Sequence, residues 1–188
     1  MLKNIMTIVV AFALPFIANA QNLDHLTAKK EIEAFGNFSK VSQMGNIVYA
    51  GQPDADTIKI LKEQGYDMVV SVKFDDEKVG YDERKVVEEN GMSFVRIPFY
   101  EGSINDKVRT VSDNGVAELS KMLSQATLNG SKVFLHCGSG QRAAGALGSI
   151  LARDYGYSKE AATKAAKDAG LTSEGVGKAM STYLDGLK

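Results

Sequence analysis

Three short apolar runs, DMVVSV (67–72), SFVRI (93–97) and KVFLH (132–136), are separated by charged stretches whose apolar residues recur at helical spacing. The runs are too continuous to keep one face in water. A strand buried on both faces belongs to a sheet covered by helices on each side. Strands that alternate with helices join in parallel, because a helical crossover carries the chain back to start the next strand in the same direction. The expected fold class is therefore α/β, a mostly parallel central sheet flanked by helices. After Gln141 the chain reads as helix only, in three pieces punctuated at Gly156 and at 170–175.

The remaining elements follow from turn and cap signals. NFSKVSQMGNIVYAGQP alternates polar and apolar residues around a turn at Met44-Gly45-Asn46, which predicts a hairpin with its second strand at 47–50. Helices are expected over 54–64, between Pro53 and Gly65, over 81–90, ended by Gly91, and over 107–128, ended by Asn129-Gly130. Residues 21–38 read as a polar leader with a short helix. His25, in that leader, has no His, Cys or acidic pair nearby and is expected at the surface rather than on a metal. The predicted division is a signal peptide at 1–20, the leader at 21–38 and one domain at 39–188.

At the N-terminus one lysine precedes an apolar run from Ile5 to Ile17, and Ala18-Asn19-Ala20 supplies the small-x-small pattern of a cleavage site. The run is shorter than the roughly 20 apolar residues of a spanning helix. Export to a periplasm or beyond, with no membrane attachment after cleavage at Ala20, is the expectation. The 22 basic residues nearly balance the 23 acidic ones and are interspersed with them, so the chain lacks the basic patch of a nucleic-acid binder. The size suits a single domain, expected to be a monomer.

The chemistry concentrates in VFLHCGSGQRAAG, 133–145, which holds the chain's single cysteine. Exported proteins commonly pair cysteines in disulfides, and Cys137 has no partner in its own chain, which suggests a thiol kept for reaction. The buried strand ends at His136, a glycine-rich loop follows, and a helix begins near Arg142. In such sheets ligands bind at the carboxyl ends of strands, beside helix N-termini. Amides of a tight glycine-rich turn can converge on an anion, and the positive end of the next helix reinforces them. The same field favours a thiolate. Gly138, Ser139, Gly140, Gln141 and Arg142 are therefore the expected anion cradle, with the planar Arg142 fork matching two oxygens of one phosphate. Cys137 is the nucleophile and His136 orients the loop by hydrogen bonding. Gly145 and Gly148 read as helix-packing positions.

HCGSGQR resembles the phosphate loop of cysteine-dependent protein tyrosine and dual-specificity phosphatases, usually His-Cys-x-x-Gly-x-x-Arg. YAGQP, DADTIKILKEQGYD, MVVSV, NGMSFVRIPF and HCGSGQRAAG follow one another as in the bacterial beta-lactamase-hydrolase-like phosphatases, a resemblance spanning about 39–171. It implies a tyrosine-phosphatase-like fold and a phosphocysteine formed on Cys137. It also implies a phosphorylated protein or small phosphomonoester as substrate, and neither metal nor organic cofactor.

Four residues separate Cys137 from Arg142, where common tyrosine phosphatases have five and rhodanese-type sulfurtransferases four. A Cys137 persulfide chemistry, or a phosphate binder without catalysis, is thus the alternative. Against the former, the chain has no tryptophan and no rhodanese-like Gly-Gly-x-x-x-Trp. Ala143 stands where many tyrosine phosphatases carry a Ser or Thr that eases release of the thiolate; Ser139 is the available substitute. For the general acid the resemblance points to the loop PFYEGSIND, with Glu101 first and Asp106 second, Asp106 reading equally as the start of the long helix. Lys73, at the end of DMVVSV, reads as a surface lysine that could attract phosphate.

Overall fold

The structure, a computed structural model, describes residues 22–187. The predicted signal segment, 1–20, lies outside the described residues. The chain runs α1 (Asp24–Thr27), β1 (Lys29–Lys30), β2 (Ser42–Met44), β3 (Ile47–Ala50), α2 (Ala55–Glu63), β4 (Met68–Ser71), α3 (Glu83–Glu89), β5 (Ser93–Arg96), α4 (Asp113–Leu128), β6 (Val133–His136), α5 (Gln141–Tyr155), α6 (Lys159–Asp168) and α7 (Glu174–Gly186). The six strands form one sheet in the order β1-β2-β3-β6-β4-β5. Its four strands β3, β6, β4 and β5 are parallel, and β1 and β2 add an antiparallel edge.

Alternate residues of each strand enter opposite cores, as the two-residue period requires. Val48, Val69 and Phe134 pack under α2 and α3 with Ile58, Leu61 and Val87. Tyr49, Val70 and Leu135 face the larger core built with α4, α5, α6 and α7. DMVVSV and KVFLH are strands for this reason, since both of their faces are covered, whereas SFVRI forms the edge strand β5 and is covered only in part. Among the described residues no helix is long and apolar enough to cross a membrane.

The helix starts are set by side-chain caps. Asp54 accepts from the Thr57 amide at 2.7 Å, Asp82 from Lys85 at 3.1 Å and Ser112 from Gly115 at 3.1 Å. The last of these corrects the expectation of a helix over 107–128. Residues 107–111 are not helical: Val111 bridges Tyr100, Glu101 donates its amide to Thr110 O at 2.9 Å, and α4 begins only after the Ser112 cap. The β-branched pair Thr110-Val111 favours that extended pairing. Asp106 consequently caps no helix; its carboxylate accepts from the Ser103 amide at 2.8 Å and closes a turn.

The leader is built into the fold. β1 pairs with β2, Leu26 is fully buried, and Phe35 and Phe38 stack edge to face and continue on to Tyr66 and Phe134. His25 is half-buried rather than on the surface, and its Nε2 is enclosed without a partner. The cause is the β2–β3 turn, which presses against its backbone: Asn46 donates to His25 O at 3.0 Å.

Candidate active site

β6 lies at the centre of the sheet, with His136 level with Ala50 of β3 and Ser71 of β4. The loop 137–140 therefore leaves the carboxyl edge between two strands and enters α5 directly. The segment after β3 clamps it: Gln52 donates its amide to Gly138 O at 3.1 Å, and Gly51 bridges Ser139. Gly140 begins α5 at φ 84°, and a Cβ there would stand 3.1 Å from the Ala50 carbonyl carbon. Only glycine meets both demands. α2, α3, α4, α6 and α7 each start on a side-chain cap, and α5 has none. Its first amides are thus left for something other than a side chain of this chain.

Cys137 lies at the floor of a cavity of about 280 Å³, only 1% exposed. The walls are Phe74, Tyr100, Arg109, Ser139, Arg142 and Val176. Cys137, Ser139, Gln141 and Arg142 all line this cavity. The Gln141 side chain is committed elsewhere, accepting the amides of Thr172 and Ser173 at 2.7 Å and donating to Gly170 O. It ties the α6–α7 connection to the loop, so the residue can offer a ligand only its backbone amide.

Arg142 is held by a partner that sequence spacing could not reveal. Glu77, in the connection after β4, accepts from both terminal nitrogens of its guanidinium at 2.6 and 2.8 Å. An end-on fork of this kind uses two of the five N–H donors and orients the other three. Burial opposes the Arg142 charge, but Glu77 and the neighbouring Cys137 outweigh it and hold the guanidinium more firmly protonated than usual. Burial likewise works to raise the Glu77 carboxyl, yet the Arg142 fork and Lys73 keep it below its ordinary value.

The network continues beneath the loop. Lys73 is buried rather than on the surface. Its ammonium is 3.8 Å from Glu77 and donates to Gln52 Oε1 at 2.9 Å, and burial pushes its pKa down despite both glutamates. Gln52 in turn donates to Glu83, whose other contacts are His136 Nε2 at 3.1 Å and Arg96 at 3.6 Å. His136 is fully buried, its Nδ1 3.3 Å from Cys137 O. It faces the network rather than the cavity, in line with an orienting role. Burial works to raise the Glu83 carboxyl, and His136, Gln52 and Lys73 more than reverse this, leaving it below its ordinary value.

Glu83 is therefore the residue on which the underside of the loop depends. Glu83→Ala is expected to destabilise the protein by about 3–5 kcal/mol, the cost of leaving buried charged partners uncompensated. Because the folded carboxyl is depressed, its contribution is complete above the ordinary carboxylate value and is lost as pH falls through the folded value. Urea unfolding at a series of pH values should show the wild type losing more stability on acidification than Glu83→Gln. Parallel pH curves for the two proteins would contradict this.

Neither candidate acid reaches the cavity. Tyr100 lines it, but Glu101 lies in the bend that follows, is exposed and is not among the residues lining the cavity. Asp106 is also exposed and is held in the turn with Ser103. Among the described residues no group of three or more His, Cys, Asp or Glu is arranged to hold a metal ion.

No protein-family model matches the sequence, and no curated protein matches it. The likeness to known proteins is one of shape. A DUF442 protein from Shewanella putrefaciens CN-32 superposes with a TM-score of 0.59 at 20% identity, over 92% of this chain and 96% of that one. TpbA from P. aeruginosa, solved in complex with pTyr, gives 0.60 at 20% identity, over 85% and 90%. Tk-PTP in its active form gives 0.58 at 17% identity, over 74% and 92%. With a mixed sheet of this order and Cys137 at the end of its central strand, the chain has the fold of the cysteine-dependent tyrosine and dual-specificity phosphatases.

Proposed function

We propose that the protein is a phosphatase that hydrolyses phosphomonoesters through a phosphocysteine on Cys137. The observation that carries this reading is the joint position of Cys137 and Arg142: a cysteine at the floor of a cavity, before an uncapped helix, beside a guanidinium already oriented by Glu77. The fold shared with TpbA, which was solved with pTyr, supports it.

In this mechanism the Cys137 sulfur attacks phosphorus. The S–P bond forms as the bond from phosphorus to the leaving oxygen breaks, and that oxygen takes its proton from water. The amides of 138–142 and the free N–H groups of Arg142 receive the equatorial oxygens, whose charge develops in the transition state. Water then attacks phosphorus, the S–P bond breaks, and inorganic phosphate leaves. With no carboxylate lining the cavity, the first step favours leaving groups that depart with little protonation, as phenolates do. Phosphotyrosine and other aryl phosphates are the substrates this predicts. Ala143 is buried in the first turn of α5 and supplies no hydroxyl to ease loss of the thiolate, so the phosphoenzyme should accumulate.

The test is an acid quench of the protein turning over an aryl phosphate with chelator present. A phosphoryl adduct on the peptide carrying Cys137, formed in a burst ahead of steady turnover, is the expected result. A sulfur adduct after thiosulfate and no phosphoryl adduct would instead identify a sulfurtransferase. Protein recovered from the periplasm of an expressing bacterium serves best. Its mass also checks the proposed export, since cleavage after Ala20 leaves a chain beginning at Gln21.

A further inference from the structure

Beside the cavity over Cys137 lies a larger groove of about 730 Å³ between the 107–111 segment and α7, and the two share Arg109 and Gly175 in their walls. The groove is lined by Lys107, Val108, Arg109 and Val111 on one side and by Lys178 and Leu187 on the other. Its charges are one-sided. Lys107, Arg109 and Lys178 form no ion pair among the described residues. The one acid in its wall, Asp113, is bound by Arg153 at 2.8 Å and by the Tyr183 hydroxyl at 2.6 Å. Its carboxylate is thus already paired with Arg153, which leaves Lys107, Arg109 and Lys178 without an ion-pair partner in the groove wall.

Arg109 is preorganised. It donates to Ser103 O at 3.0 Å and to Ile104 O at 2.9 Å, and its guanidinium carbon stands 5.0 Å from the centroid of the Phe74 ring. Arg142 stands 5.8 Å from the same centroid. Two guanidiniums therefore flank one ring, Arg142 beside Cys137 and Arg109 at the passage to the groove. Next to them are Val108, 76% exposed, and Ile104, 40% exposed, two of the three large apolar side chains standing in water among the described residues. Cations and a single apolar residue thus adjoin along Lys107, Val108 and Arg109, with the exposed Asp106 before them and Asp76 held to the Ile104 amide at 3.1 Å. That pattern suits an extended chain with carboxylate and apolar side chains better than a bilayer, which requires a contiguous apolar face.

We infer that the groove docks the polypeptide on either side of the phosphorylated residue, that the preferred substrate is a phosphoprotein segment rich in Asp and Glu, and that Arg109 reads the carboxylate nearest the phosphate. This rests on the phosphatase reading for the same cavity and adds the class of macromolecule that carries the phosphate.

The experiment compares two phosphotyrosine peptides, one with Glu and Asp flanks and one with Gln and Asn in their place, binding to full-chain Cys137→Ser protein by fluorescence anisotropy. The acidic peptide should bind about five- to tenfold tighter at low salt, with the margin shrinking as salt rises. Arg109→Gln, and the double change Lys107→Ala with Lys178→Ala, should each bring the ratio towards one. The ratio of kcat/KM for the two peptides on the otherwise unaltered enzyme gives the same reading should Cys137→Ser fold poorly. Equal affinities, a preference that survives every substitution, or tighter binding to vesicles containing a phosphorylated lipid than to the acidic peptide would overturn the inference. Aryl-phosphate turnover separates the two readings. Turnover without peptide discrimination sinks the docking groove alone, and discrimination without turnover sinks the catalytic reading and leaves the groove standing.

Discussion

Replacing Cys137 by serine is expected to abolish aryl-phosphate turnover while leaving phosphotyrosine binding in place. Among the described residues lining the cavity the sulfur is the strongest nucleophile, and His136 is fully buried and faces Glu83. A serine hydroxyl there has no base to activate it, because no carboxylate or imidazole lines the cavity. A loss of roughly ten-thousandfold or more in kcat follows, the scale seen when a nucleophile is deleted. On the proposed reading binding rests on the loop amides and on Arg142, whose fork to Glu77 survives the substitution. Calorimetric titration with phosphotyrosine should therefore give an affinity close to that of the parent protein. Residual turnover above one per cent would mean that another group does the chemistry, and loss of binding would mean that the sulfur itself shapes the cradle.

Arg142→Lys should lower kcat/KM for the same substrate by roughly a hundredfold to a thousandfold, the scale of removing a preorganised donor to developing charge. The charge survives this change, so the loss reports geometry. The planar fork binds Glu77 through two nitrogens and still points N–H groups at the loop, whereas an ammonium bound to Glu77 has no second, fixed set of donors. Glu77→Gln provides the companion measurement. With Arg142 intact but held by a neutral amide, the loss should be about tenfold and should appear more in kcat than in KM, because orientation matters most where charge develops. If Glu77→Gln equalled Arg142→Lys, Glu77 would be acting on the substrate directly rather than through Arg142. If Arg142→Lys were harmless, the cradle would consist of the amides alone.

The parts of this protein that were legible in the sequence are those whose cause lies within a few residues. MVVSV and KVFLH announced buried strands because both faces of each are apolar, SFVRI announced the next strand, and the structure places all three side by side with SFVRI at the edge. The strand, cysteine, glycines and arginine of 133–142 were legible as an anion loop because β6, the turn and α5 follow one another directly. The start of α4 was misread for a local reason as well. Helical spacing seemed to extend back to Lys107, but the pairing of Val111 with Tyr100, eleven residues earlier, competes with the helix and wins up to the Ser112 cap.

What tertiary structure alone decided is which distant charges meet. Glu77 and Arg142 are 65 residues apart, and nothing near either marks the other. Gln52 and Lys73 come from the connections after β3 and β4, Glu83 from the start of α3 and His136 from the end of β6, and they join because β3, β4 and β6 end at the same edge of the sheet. In the sequence Lys73 and Glu83 are ordinary charged residues, and Glu101 looks as available as either. Burial reverses that ranking, since a charge enclosed in the fold must find its counter-charge, whereas an exposed one such as Glu101 is satisfied by water. The sequence by itself determined the candidate nucleophile, Cys137, and the sheet that carries it. The packing of the sheet determined the charge partners that hold Arg142 and His136 in place, because electrostatic pairing depends on distance in space and not on distance along the chain.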